Sequence, residues 1–200
     1  MPAPIDFYFD FSSPFGYMAS TRIDALASKY QREVSWRPIL LGAVYKLNGV
    51  VPTPSVPLKG DYARRDIVRT ARFHGIPCIV PTAFPIGTQS PARAFYWLQD
   101  RDAARAKQLA AAFYRAYFVD DLDISKPENT VAVAARQGLD AQEVAAAIND
   151  PQVKERLKRE VDAAIARGVF GSPYVVVDGE PFWGNDRFDQ LEKWLASGGI

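Results

Sequence analysis

One cysteine and one histidine, Cys78 and His74, are all the thiol and imidazole chemistry that the chain of 200 residues contains. No intrachain disulfide can form and no cluster has metal-ligand spacing. A Ser-His-Asp or Cys-His apparatus would have to be built on those two residues. Cys78 is flanked by Ile76, Pro77, Ile79 and Val80, which predicts a buried structural thiol rather than a nucleophile. His74 stands just before Gly75 at an expected helix C-terminus, where the dipole tolerates an imidazolium. An excess of one charge is missing too: 24 basic against 23 acidic residues leave no field to steer the chain toward nucleic acid or an anionic membrane. No run approaches the ~20 apolar residues of a bilayer span, and the N-terminus lacks the basic start, apolar run and small-residue cleavage pattern of a signal peptide. The expectation is a cytoplasmic protein with neither nucleic acid nor membrane as partner. Its 48% hydrophobic content is ordinary for one globular unit.

What the sequence does have is DFYFDFSSPFGYMA, Asp6 to Ala19, an aromatic strand that runs into a helix through two serines and a proline. Ile5, Phe7, Phe9 and Phe11 alternate as in a pleated strand buried on at least one face. Ser12 and Ser13 offer side-chain oxygens to orphan amides, and Pro14 lacks the N–H that a first helical turn cannot use. Ala19, Ile23, Leu26, Ala27 and Tyr30 then give one apolar stripe at helical spacing. Spacing by itself makes Ser13 a helix cap. Its place at the carboxyl end of a strand, with free N–H groups and the positive end of a helix dipole directed at it, also makes it a site where an anion is stabilised.

Further along, Glu33 to Leu41 reads as a second strand, with Pro38 marking an edge or the end of pairing. Gly49 to Lys59, with Pro52, Pro54 and Pro57, reads as a long loop. A helix is expected from Tyr62 to about His74, stopped by Gly75 and Pro77. The middle is helical almost throughout. Ser90 with Pro91 and then Asp102 start two helices, Ser125 with Glu128 and Asp140 with Glu143 spell capping boxes, and Asp150 with Pro151 opens a helix that ends before Gly168. Strands return at Tyr174 to Val177 and Glu180 to Trp183, joined by Asp178 and Gly179 as a hairpin turn. Gly184, Asn185 and Asp186 precede a last helix carrying Phe188, Leu191, Trp194 and Leu195.

This order is the α/β thioredoxin-like plan with a large all-helical insertion. The expected division is one unit, a thioredoxin-like part over about 1–75 and 168–200 with the insertion over about 76–167. Gly171, Ser172 and Pro173 are the second half of the site. In that fold the proline is cis, which leaves the backbone of Ser172 free to pair with an extended, peptide-like ligand.

The motifs DFYFDFSSPFGY, the patch Pro57 to Tyr62, GIP at Gly75 to Pro77, GVFGSP at Gly168 to Pro173 and WGNDR at Trp183 to Arg187 carry a resemblance over essentially the whole chain. It resembles the kappa-class glutathione transferases and the bacterial 2-hydroxychromene-2-carboxylate isomerases, with their DsbA-like thioredoxin fold. Thiol oxidoreductases of this fold begin the helix with CxxC. The same four positions here are Ser13, Pro14, Phe15 and Gly16, so dithiol redox chemistry is excluded. The resemblance implies Ser13 as catalytic serine, donating to the thiolate of bound glutathione, the cofactor. It implies that Ser172 beside Pro173 pairs with the glutathione backbone, that Asn185 and Asp186 hold its γ-glutamyl end, and that Lys59 meets its glycyl carboxylate. Without the resemblance, Asn185 and Asp186 read as N-caps and Lys59 as solvated surface. The implied reaction interconverts 2-hydroxychromene-2-carboxylate and trans-o-hydroxybenzylidenepyruvate in naphthalene-type aromatic catabolism, by thiolate addition, bond rotation and elimination. A homodimer is implied as well. The small aromatic substrate would lie among Phe11, Phe15, Tyr17 and Trp183, which suit a core equally well. Two alternatives stand beside this: a kappa-like transferase that releases a conjugate, and a non-catalytic thioredoxin-like binding module. Asn48 precedes Gly49 where the family places an asparagine after the glycine, a departure at the proline-rich loop.

Overall fold

The computed structural model describes residues 3–199, so the expected outer bounds at 1 and 200 lie outside it. Four strands run in the order β2-β1-β3-β4. Strand β1 (Ile5–Phe9) pairs in parallel with β2 (Val34–Pro38) and antiparallel with β3 (Tyr174–Val177), and β4 (Glu180–Trp183) closes a hairpin on β3. Pro38 pairs opposite Phe9 at the end of edge strand β2, where a missing donor is tolerated. The hairpin turn holds Asp178 at φ 52° and Gly179 at φ 92°, the left-handed pair that a two-residue turn needs to match strand twist.

Between β1 and β2 the expected single helix is two, α1 (Pro14–Ser20) and α2 (Ile23–Lys29). The break falls where Ser20 and Thr21 turn their hydroxyls back on the carbonyls of Tyr17 and Met18, a bonding pattern that competes with continued helix. Helix α3 (Leu41–Asn48) lies between the expected strand end at Leu41 and the expected loop from Gly49, over residues for which the sequence pattern predicts no element. Its flanking Leu40 offers no side-chain cap. The cap comes from elsewhere: Leu41 N donates to the carboxylate of Asp10, 31 positions away, at 2.7 Å. Helix α4 (Lys59–Phe73) begins three residues earlier than expected, after a proline-rich segment that contains a short 3-10 turn at Thr53–Ser55.

The helical block comprises α5 (Gln89–Gln99), α6 (Ala103–Phe118), α7 (Pro127–Arg136), α8 (Ala141–Ala147) and α9 (Pro151–Ala166). Asp102, Asp140 and Asp150 cap their helices as expected. Ser125 does not: its hydroxyl donates to Asp123, and α7 starts from Lys126 without a side-chain cap. The final helix α10 (Phe188–Ser197) follows a 3-10 turn at Asn185–Arg187.

One sheet face, with Phe7, Phe9, Trp36, Val175 and Phe182, shares a continuous core with Phe95, Phe113, Tyr114 and Leu157 of the block. On the other face Tyr8 and Tyr174 pack with Ile39, Ala164 and Val169. This is the thioredoxin-like plan with a large helical insertion, the insertion sealed to the sheet by buried apolar surface. An ion network backs it on the surface: Arg37 donates to Asp6 at 2.7 Å and reaches Glu160 of α9 at 3.5 Å, and Arg167 reaches Asp6 at 3.1 Å.

Candidate active site

The carboxyl end of β1, the start of α1 and the loop before β3 converge on Ser13. Its backbone is extended at φ −91° and ψ 114°, so it caps α1 and Pro14 takes the first helical position. Oγ accepts from Gly16 N at 3.0 Å and donates to the carbonyl of Ser172 at 2.8 Å. The Ser172–Pro173 peptide bond is cis. Ser13 is 5% exposed.

Two expectations change here. Ser172 has its carbonyl already engaged by Ser13, so its N–H, which has no partner among the described residues, is the group left for a ligand. Nor are several N–H groups free at the helix start. Ser12 N goes to Asp10 Oδ1, Ser13 N to the Asp10 carbonyl and Gly16 N to Ser13 Oγ, which leaves Phe15 N without a partner among the described residues.

Beneath the turn lies Asp10, which reading the sequence missed. It is 3% exposed, and Ser12 N, Leu41 N and Thr88 Oγ1 donate to its carboxylate at 2.7, 2.7 and 3.0 Å. Burial dominates over these donors and pushes the carboxyl up to about 6. An acid set between Phe9 and Phe11 in an otherwise apolar run is the one signal that could have found it.

Pro173 is tied to the far end of the site, because Gly184 N donates to its carbonyl at 3.1 Å. Asn185 follows, but its side chain neither caps nor projects outward. It is buried between Arg22, which donates to Oδ1 at 3.4 Å, and His74, whose Nε2 lies 3.2 Å from Nδ2. An amide nitrogen can only donate, so Nε2 is the unprotonated acceptor here. Burial and then the Arg22 cation lower the His74 pKa, so the imidazolium that the end of α4 would tolerate is disfavoured here. Arg22, stacked 4.6 Å over Phe188, was not singled out from sequence either. The N–H groups of Asn185 and Asp186 have no partners among the described residues, and the Asp186 carboxylate is exposed beside Arg187 at 3.6 Å. Lys59 is exposed at the start of α4 and makes no hydrogen bond to the other candidates among the described residues.

Of the aromatic residues, Phe11 and Tyr17 are core and Phe15 is half-buried. Trp183 is 55% exposed and meets Phe170, 44% exposed, edge to face at 4.8 Å. Its indole lies on the backbone of Gly171, next to Ser172, where a Cβ would come within 2.2 Å of Nε1. Cys78 is half-buried, and burial pushes its thiol up to about 11, so it stays protonated at neutral pH.

Fold and site together define a thioredoxin-fold protein whose helix-start thiol is replaced by a serine facing a cis-proline loop. The chain belongs to the DSBA-like thioredoxin domain family, whose profile matches residues 4–196. Within that family it is related to a 2-hydroxychromene-2-carboxylate isomerase of Sphingobium xenophagum, 30% identical over 203 residues that cover 98% of this chain and 99% of the relative. Glutathione S-transferase kappa 1 of Rattus norvegicus is 26% identical and covers 98% of this chain and 95% of its own. Among solved structures, a 2-hydroxychromene-2-carboxylate isomerase superposes with a TM-score of 0.86 at 29% identity, covering 96% of this chain and 94% of the other. Homology of this extent supports an enzyme of the glutathione-binding isomerase or transferase type.

Proposed function

We propose that the protein is a glutathione-dependent isomerase that interconverts 2-hydroxychromene-2-carboxylate and trans-o-hydroxybenzylidenepyruvate. The observation that carries this reading is the Ser13 hydroxyl, set at the start of α1 opposite Ser172 and Pro173 where an oxidoreductase of this fold needs a thiol. Cys78, with its raised pKa, does not supply one. Bound glutathione would supply a thiolate able to add to an unsaturated carbon, which turns a fixed double bond into a single bond that rotates.

The chain's own residues fit that ligand. Ser172 N–H, without a partner among the described residues, is a donor beside Pro173 for a peptide-like backbone. Asn185 and Asp186 offer backbone N–H groups for a carboxylate, and the exposed Asp186 side chain suits an ammonium. Lys59, exposed at the start of α4 and without an ion-pair partner among the described residues, is a cation for the second carboxylate. Ser13 is held in place by Gly16 N and has one proton to give. Released from the Ser172 carbonyl, that proton goes to the ligand sulfur, with Phe15 N–H as the second donor.

The test is an ultraviolet assay with 2-hydroxychromene-2-carboxylate, with and without substoichiometric glutathione. Conversion that needs glutathione and leaves the thiol titre unchanged is the expected result. No conversion at any glutathione concentration would refute it. The relation to the rat kappa transferase favours one other reading, conjugation of small electrophiles, in which one thiol disappears for each product formed.

A further inference from the structure

The buried acid of the site has no part in the reading above. The Asp10 carboxylate makes no ion pair among the described residues, and its three donors come from three segments: the turn itself at Ser12, α3 at Leu41 and the approach to α5 at Thr88. Its backbone grips both halves of the site. The N–H donates to Ser172 Oγ at 2.9 Å, and the carbonyl accepts from Ser13 N at 2.9 Å and from Tyr114 Oη at 3.0 Å. The titratable groups that face it are Tyr45 of α3 and Tyr114 and Tyr117 of α6. Burial keeps all three as neutral phenols, and among the described residues no cation offsets a charge at Asp10.

We propose that Asp10 is a positioning residue whose negative charge, while it locks Ser13 against Ser172, opposes ionisation of a thiol bound at Ser13. The proposal rests on the glutathione reading. All three partners of the carboxylate are donors, so its anion tightens the turn that aims the Ser13 hydroxyl. The same anion sits three residues before Ser13, where a second negative charge would form, in a buried setting with no cation paired to it among the described residues, and like charges there disfavour each other. At an effective dielectric of about 20, two like charges about 12 Å apart shift an ionisation roughly tenfold, and a closer pair shifts it more. The charge that builds the site therefore restrains it, and a proton on Asp10 releases the restraint.

The experiment compares the wild-type protein with Asp10→Asn and Thr88→Val, each saturated with glutathione. The ultraviolet thiolate absorbance is followed from mildly acidic to alkaline pH against the S-methylglutathione complex as blank. In Asp10→Asn the bound thiol titrates about one pH unit lower, roughly tenfold more thiolate at neutral pH. Thr88→Val removes one donor to the anion without touching the backbone ties, so Asp10 keeps its proton to higher pH and the thiolate fraction rises by a smaller factor. A purely structural Asp10 gives the opposite sign, because a loosened turn withdraws the Ser13 donor and thiolate falls. Thiolate unchanged or reduced in the variants, with glutathione still bound, overturns the proposal. If Asp10→Asn does not fold, Thr88→Val decides in the same way. A wild-type protein with no calorimetric binding of glutathione overturns the reading beneath it, and the proposal with it.

Discussion

The Ser13 hydroxyl donates to the Ser172 carbonyl across 159 positions of sequence, at 2.8 Å. That bond joins the start of α1 to the cis-proline loop and occupies the one proton the serine has to give. A neutral carbonyl is a weaker acceptor than an anion, since hydrogen bonds to ionised groups are roughly twice as strong as neutral ones. Under the proposed function the contact is a resting arrangement that a bound thiolate would displace.

Ser13→Ala tests the residue directly. The variant loses the N-cap of α1, worth about 1 kcal/mol, and leaves Gly16 N and the Ser172 carbonyl without their side-chain partner. Thermal unfolding reads that loss. Turnover is expected to fall on the order of 100-fold, as when a donor to a developing anion is removed, with little change in glutathione affinity. Undiminished turnover would take Ser13 out of the mechanism.

Gly171→Ala tests how closely the loop is packed. The new Cβ would stand 2.2 Å from Trp183 Nε1 and 2.7 Å from Cδ1, so the indole must leave the backbone it covers and its edge contact with Phe170. Overpacking of this kind costs about 1–3 kcal/mol. Urea unfolding should show it together with altered tryptophan fluorescence, and displacement of the adjacent Ser172 should weaken glutathione binding. An unfolding midpoint equal to that of the wild type would mean that Trp183 moves freely.

His74 gives the stability a pH dependence of definite sign. Its native pKa lies below the ordinary 6.5, through burial first and the Arg22 cation second. Between the two values the unfolded chain holds more protons, so the contribution is fully present above 6.5 and is lost as pH falls through the native pKa. Asp10 runs the other way. With its pKa raised from 3.8 to about 6, its contribution is present below 3.8 and is lost as pH rises through about 6. Thermal unfolding of His74→Gln across mildly acidic pH should therefore show less loss on acidification than the wild type. Parallel curves would mean that the His74 pKa is unshifted.

Much of this was legible in the residues because the deciding interactions span four positions or fewer. The Ser13 cap with Pro14 behind it, the Asp102, Asp140 and Asp150 caps and the Asp178–Gly179 turn are local chemistry, and the structure contains each of them. Helix α3 was not legible because its cap is the carboxylate of Asp10, brought from another element. The Ser125 box failed because Asp123, two residues upstream, captured the hydroxyl first.

The amino-acid sequence by itself determined the order of strands and helices, the serine in place of a thiol and the proline that faces it, since periodicity, caps and turns depend on near neighbours. Tertiary structure alone decided the electrostatics. Where the Ser13 proton points, that Asp10 is desolvated and that the His74 pKa is lowered between Arg22 and Asn185 all follow from groups far apart in the chain meeting away from water. Desolvation and partner distance govern such energies, and neither exists until the chain has folded.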